Sequence, residues 1–300
     1  MTYLVTGGAG FIGSHLVEKL LTGNDKVIVV DDLSEGNLSN LPMKNPNLEF
    51  HKASILDGIS LLFKGVDIVF HLAALTRPQE SIKEPKKFNK TNVEGTLNIL
   101  MCCKEHNVKR IVFMSSSSIY GTQDTFPTNE DAIPCPLSPY ALNKLTGENY
   151  CKLFESVYGL EFNAIRPFNV FGKRQNPNGG YAAAVPKFIS MLKSGQTPYI
   201  TGDGEQTRDF VYVDDVTGLL ILAAHSEVHG ESFNAGSETN ITINDLYTKI
   251  CELTGKYIKP NHIAAVLEPR VTLSDMSKAK KLLGWKSNFT LHEGLKGLLR

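Results

Sequence analysis

The sequence predicts an α/β protein, a doubly wound parallel sheet with a second, smaller α/β domain. Three observations point there. Short β-branched runs alternate with longer helical patterns through the first half of the chain, as in β–α–β units. Several of those runs, such as Lys26–Asp31, are almost continuously apolar, as strands covered by helices on both faces should be. A cluster of glycines follows the first run directly.

Taken in order, strands are predicted at Tyr3–Thr6, Lys26–Asp31, Leu48–Lys52, Asp67–Leu72, Arg110–Ser115 and Glu161–Arg166. Helices are predicted at Phe11–Leu21, Pro85–Glu105 and Pro139–Tyr158, with a short turn near Ile59–Phe63. After Arg166 the texture changes. Pro167–Gly180 is rich in Pro, Asn and Gly, and helical patterns return at Ala182–Lys193, Asp214–Ala224, Ile243–Leu253 and Ser274–Leu283. Residues 1–167 are expected to form a first domain, with 209–235 returning to it, and 168–208 with 236–300 a substrate-binding domain.

Composition narrows the classes of function. Lys and Arg balance Asp and Glu at 31 each, and no basic block occurs, which argues against a protein held to nucleic acid through phosphates. Apolar stretches such as Leu219–Ala224 fall far short of the ~20 residues of a membrane span. Met1–Thr6 runs into glycines without a basic region, so no signal peptide is expected. Five cysteines without a C-x-x-C pair suit a reduced, cytoplasmic protein, and scattered histidines give no reason to expect a metal.

Thr6-Gly7-Gly8-Ala9-Gly10-Phe11-Ile12-Gly13 links the first strand to the first helix. Gly8, Gly10 and Gly13 fit G-x-G-x-x-G; Gly7, Gly10 and Gly13 fit G-x-x-G-x-x-G. Either lets backbone amides approach a pyrophosphate at a helix start. Asp31, at the end of the second strand, is placed to bind the adenosine ribose hydroxyls. No Arg or Lys follows in Asp32-Leu33-Ser34-Glu35-Gly36 to hold a 2′-phosphate, which favours NAD over NADP.

Ser138-Pro139-Tyr140-Ala141-Leu142-Asn143-Lys144 reads as a helix start, with Ser138 as N-cap and Pro139 first. Tyr140 and Lys144 then share one face. A phenol with a pKa of about 10 needs ~4 kcal/mol of differential stabilisation to act as a base near neutrality. A nearby ammonium and a helix N-terminus can share that task. Met114–Gly121 is a serine-rich strand end, and strand ends of this kind face the ligand crevice. A serine there can serve a substrate oxygen and the tyrosine, or simply satisfy its own backbone.

Together these residues resemble the extended short-chain dehydrogenase/reductase family with its Rossmann fold, and within it the nucleotide-sugar epimerases of the UDP-glucose 4-epimerase group. The marks run along nearly the whole chain: TGGAGFIGSHL, FHLAAL at 70–75, SSSSIYG, YALNK, RPFNVFG at 166–172, GDGEQTRDFVYVDDV at 202–216 and SKAKKLLGW at 277–285. The resemblance implies Ser116 as the catalytic hydroxyl, Tyr140 as base and Lys144 on the nicotinamide ribose. It places Gly7, Gly10, Phe11, Ile12, Gly13, Asp31, Asp32, Ser34, Gly36, Ser54, Ile55, Leu72, Ala73, Ala74 and Asn92 around NAD. Ser54 stands where many members have an aspartate beside adenine. For a UDP-sugar it implies Ser116, Ser117, Asn169, Val185, Tyr199, Thr201, Arg208, Arg270 and Thr272. Two arginines suit a diphosphate through charge-assisted hydrogen bonds.

The implied activity is NAD-dependent 4-epimerisation of a UDP-hexose by transient oxidation at C4. Alternatives on the same scaffold are a UDP-sugar dehydratase, decarboxylase or reductase, and outside catalysis an inactive NAD-binding regulatory protein. Family 4,6-dehydratases carry Asp-Glu after the catalytic hydroxyl residue, where this chain has Ser117 and Ser118. Thr272, a small residue at a position that walls the sugar, implies that an N-acetyl group is accepted. RPFNVFGKRQNPNGGYAAAVPKF likewise resembles members acting on N-acetylhexosamines. A homodimer is implied through Pro85–Glu105 and Pro139–Tyr158, with Val93, Leu97, Leu100, Leu145, Leu153 and Val157 as candidate apolar positions.

Overall fold

Seven strands, all parallel, form the central sheet of the computed structural model, which describes residues 1–177 and 183–299. Strand β1 (Thr2–Thr6) leads through the glycine turn into α1 (Phe11–Leu20), β2 (Lys26–Asp31) and β3 (Leu48–Lys52). Strand β4 (Ile68–His71) is followed by α2 (Pro78–Lys83), α3 (Pro85–Asn89) and α4 (Gly95–Glu105). Then come β5 (Arg110–Met114), α5 (Pro139–Tyr158) and β6 (Glu161–Pro167). The strand order β10-β6-β5-β4-β1-β2-β3 reverses direction of growth between β1 and β4, which opens a crevice at their carboxyl ends.

The second half contributes β7 (Asn169–Phe171), α6 (Ala184–Ser194), β8 (Tyr199–Thr201), β9 (Thr207–Tyr212) and α7 (Val213–His225). It continues with β10 (Glu231–Ala235), β11 (Asn240–Thr242), α8 (Ile243–Thr254), β12 (Asn261–Ile263), α9 (Ser277–Leu283) and α10 (Leu291–Leu299). Within 209–235, β10 pairs with β6 in the large sheet, whereas β9 lies in a three-stranded sheet with β7 and β11. Ala182, the expected first residue of the helix that begins at Ala184, and residues 178–181 of the N-acetylhexosamine-like stretch lie outside the described residues.

Two apolar clusters flank the large sheet. One gathers Val5, Val29, Phe70, Leu16 and Leu219 beneath α1 and α7; the other gathers Leu4, Val69, Ile111, Ile99 and Phe154 beneath α4 and α5. Successive residues of β1, β2, β4 and β5 feed opposite clusters, the period-2 consequence of a sheet covered on both sides. A third cluster, with Phe188, Leu192, Leu246 and Ile250, joins α6 and α8. Among the described residues no helix is long and apolar enough to cross a membrane.

The long helix expected over Pro85–Glu105 is divided. A π-helical turn at Lys90–Glu94 separates α3 from α4. Such insertions recur at functional sites, and this one carries the buried Asn92. Leu100 faces the core at 0% exposure rather than the surface. Leu153 and Val157 do lie exposed on α5, joined by Leu142 and by Met101 of α4.

One buried ion pair ties α5 to β6. The Arg166 guanidinium donates to both carboxylate oxygens of Glu148, at 2.9 and 2.7 Å, and to the Tyr120 hydroxyl at 3.0 Å. Removing one partner strands the other charge out of water. Glu148→Ala is expected to lower unfolding free energy by about 3–5 kcal/mol, read as a fall in the urea midpoint.

Candidate active site

The glycine turn is shaped by close approach. Gly7 has φ +69° and lies so near the Ala73 backbone that a Cβ would meet it at 2.8 Å; at Gly13 a Cβ would meet the Gly7 carbonyl at 2.1 Å. Gly7, Gly10 and Gly13 line a single large cavity at the carboxyl end of the sheet, so the G-x-x-G-x-x-G spacing describes the cradle. Gly8 instead abuts the Val29 side chain and makes room for strand packing. No side chain caps α1 at Gly10, which leaves its first amides open to an anion. An anionic dinucleotide fits this cradle.

Asp31 is 7% exposed and accepts hydrogen bonds from the amides of Ala9 (2.9 Å) and Leu33 (2.8 Å). Burial pushes its carboxyl up, opposed by those two amides. At Gly36 a Cβ would meet the Asp31 carboxylate at 2.8 Å, so only glycine lets that loop lie there. Asp32, Ser34, Gly36, Ser54, Ile55, Leu72, Ala73 and Ala74 all line the same cavity, with Phe11 and Ile12. Asn92 does not. It is 2% exposed, and its amide group bonds both the backbone N–H and the carbonyl of Leu75, at 2.8 and 2.9 Å. It pins the loop that lines the groove.

The reacting end is built where β5 meets α5. Ser138 caps α5 by accepting from the Ala141 amide at 3.2 Å, and Pro139 opens the helix. Tyr140, 7% exposed, therefore sits in the first turn, its own amide donating to Ser81 Oγ at 3.0 Å. One turn on, Lys144 is 4% exposed; its Nζ donates to the Met114 carbonyl at 2.7 Å and lies 5.1 Å from the Phe113 ring centre. Burial drives the Lys144 ammonium down to about 7, partly opposed by Cys151 and Glu148. Burial raises the Tyr140 phenol, and the Ser116 hydroxyl beside it acts in the opposite direction. Ser116 accepts from the Ser118 amide at 3.1 Å and donates to Ser118 Oγ at 3.0 Å, so the serines also serve their own turn.

His71 bridges Thr6 and Thr96 through its two ring nitrogens at 2.7 and 3.0 Å, and burial holds its pKa near 3. It is a neutral strut between β4 and α4. Among the described residues no cluster of three or more His, Cys, Asp or Glu is arranged to hold a metal.

At the far end of the cavity Ser117, Asn169, Val185, Tyr199, Thr201, Arg208 and Thr272 share the wall. Arg208 is 7% exposed and pairs with Glu268 at 2.8 Å. Arg270 lies outside this lining, 59% exposed, and forks onto both carboxylate oxygens of Asp203 at 2.7 and 2.9 Å. Lys187 and Glu268 are lining residues that the sequence reading missed. Lys187 lies 4.2 Å from the Tyr199 ring centre, with burial holding its ammonium at about 8. Its only sequence signal is a lysine beside Val185 on α6, indistinguishable from a surface charge.

A model of the NAD-dependent epimerase/dehydratase family matches residues 3–236. A putative UDP-glucose 4-epimerase from Methanocaldococcus jannaschii is 40% identical, with 98% of this chain and 95% of that protein covered. A UDP-glucose 4-epimerase from Thermotoga maritima, solved with UDP-glucose, superposes with a TM-score of 0.96 at 40% identity, covering 100% of this chain and 97% of that one. A UDP-N-acetylglucosamine 4-epimerase from Methanobrevibacter ruminantium, solved with UDP-N-acetylmuramic acid, gives a TM-score of 0.96 at 37% identity, with 99% and 96% covered.

The buried lysine has a thermodynamic signature. Its folded pKa of about 7 lies below the ordinary 10.5, so between those values the unfolded chain holds a proton that the folded one has lost. Stability from this group therefore rises with pH across that window. Relative to Lys144→Met, the cofactor-free protein should gain a few kcal/mol from pH 7 to 10 and nothing between pH 5 and 6. Thermal denaturation of both proteins across pH reads the difference.

Proposed function

The chain belongs to the NAD-dependent epimerase/dehydratase family, and from that premise we propose that it interconverts C4 epimers of a UDP-hexose. NAD, the family's cofactor, supplies a reversible hydride acceptor when bound. Gly7, Gly10, Gly13 and the start of α1 hold its pyrophosphate and Asp31 its adenosine ribose. Residues 1–167 with 209–235 would form the cofactor domain, and 168–208 with 236–300 the sugar-nucleotide domain. Tyr140 takes the proton of the 4-hydroxyl, Ser116 orients that oxygen, and Lys144 holds a ribose hydroxyl and favours the phenolate. Burial by itself raises a phenol, so the base depends on nearby donors and positive charge. Arg208 answers the diphosphate, with Lys187 and Tyr199 toward the base.

One observation favours epimerisation over elimination of water. Among the described residues the carboxylates lining the cavity are Asp31, Asp32, Glu35 and Glu268. None stands on the 114–121 strand end or at the start of α5, where acid and base would be needed to eliminate across C5 and C6. Ser117 and Ser118 occupy that place. The exposed Leu142, Leu153, Val157 and Met101 support pairing of α4 and α5 with a second copy.

Incubation with UDP-glucose, UDP-N-acetylglucosamine and UDP-glucuronate separately, with products identified by NMR, tests the reading; a 4-keto-6-deoxy product or no turnover defeats it. Tyr140→Phe should cut kcat by about 10²–10⁴-fold while calorimetry still shows NAD and UDP-sugar binding. We also propose that Thr272 leaves room for an N-acetyl group. Thr272→Tyr should then shift the kcat/KM ratio toward UDP-glucose by about 10–200-fold. An unchanged ratio would remove Thr272 from substrate choice.

A further inference from the structure

The loops after β2 and β4 rise on either side of the glycine turn, because β1 lies between those strands in the sheet. Their crests are joined. Arg77 Nη2 donates to Glu35 Oε2 at 3.0 Å, while Nη1 donates to Glu80 Oε1 at 2.9 Å. Both Arg77 and Glu35 line the cavity. The bridge thus spans the cavity that the glycine turn also lines. The same segment reaches the other half of the cavity: Gln79 Nε2 donates to the Leu267 carbonyl at 2.9 Å. It is also fastened to the reacting end, where Ser81 Oγ accepts from the Tyr140 amide.

We propose that the Arg77–Glu35 ion pair is a clasp across the cofactor groove that keeps NAD on the protein between turnovers. The inference rests on the NAD site of the proposed function and adds two residues to it. The chemistry gives the clasp a purpose. Hydride leaves C4 and returns to C4, so the cofactor is regenerated each cycle and never needs exchange. A cofactor lost in mid-cycle would strand a keto sugar and an enzyme unable to reduce it. Glu80 fixes the arginine on its own helix, and Glu35 supplies the contact that spans the groove.

The test is cofactor release, not activity. Protein loaded with NAD is passed through gel filtration, and the NAD that stays with it is measured over time by acid extraction. Because the pair is partly exposed, Arg77→Ala and Glu35→Ala should each speed release by about 2–5-fold. The double variant should be no faster than either single one. Raising NaCl from about 50 to 500 mM should speed release from wild type and leave both variants unchanged. Release unaltered in both single variants overturns the clasp. So does release hastened by Arg77→Ala but not by Glu35→Ala, which would put Arg77 on the cofactor phosphates instead. Wild-type protein that retains NAD but turns over no UDP-sugar would leave the clasp standing and defeat the proposed reaction.

Discussion

A lysine ammonium held out of water at the end of β5 sets the geometry on which the site depends. The Lys144–Met114 bond fixes α5 against the strand end. That fixes the preceding turn, and with it Tyr140, opposite Ser116. The cost of burying the ammonium shows in its depressed pKa. The carbonyl, the Phe113 ring face and Glu148 one turn further along α5 recover part of that cost. Glu148 is itself pinned by Arg166, which also holds Tyr120 at the end of the serine turn. The chain of contacts therefore runs from one side of the reacting centre to the other through buried charge.

Part of the cavity wall is loop, and those loops become precise through bonds from side chains to backbone. Asn92 holds Leu75, Asp31 holds Ala9 and Leu33, and Ser81 holds the Tyr140 amide. None of these belongs to a strand ladder or a helix's own hydrogen bonding. Without them the Ala9 and Tyr140 amides would be buried unpaired. The π-helical turn belongs to the same scheme, since it carries the Asn92 that holds the loop after β4.

Periodicity made the frame legible. Lys26–Asp31, Leu48–Lys52 and Pro139–Tyr158 have the same bounds in sequence and structure, because an apolar run or a capped amphipathic stretch is decided locally. The glycine cradle was legible for the same reason, although only close approach to Ala73 distinguishes Gly7 from Gly8. What could not be read was decided by distant neighbours. The six residues of α2 are too few to show a period, and α10 escaped notice at the end of the chain. Arg270 and Glu268 are two residues apart in one loop. Only the fold decides that Asp203 draws the arginine outward while Arg208 draws the glutamate inward.

That last pairing bears on how an anionic substrate would be received. Arg208 is nearly buried, and an isolated guanidinium there would be costly. Glu268 compensates it, and Gln206 Nε2, which donates to the Thr201 carbonyl at 2.9 Å, also reaches Glu268 Oε1 at 3.5 Å. On the proposed reading, a diphosphate entering this end brings two negative charges to an arginine that already has one carboxylate. Binding would then be an exchange of partners, with Lys187 close enough for the Glu268 carboxylate to favour its charged form. On that reading the attraction of the site for a diphosphate would be a difference between two pairings, which moderates affinity without leaving a buried charge bare in either state.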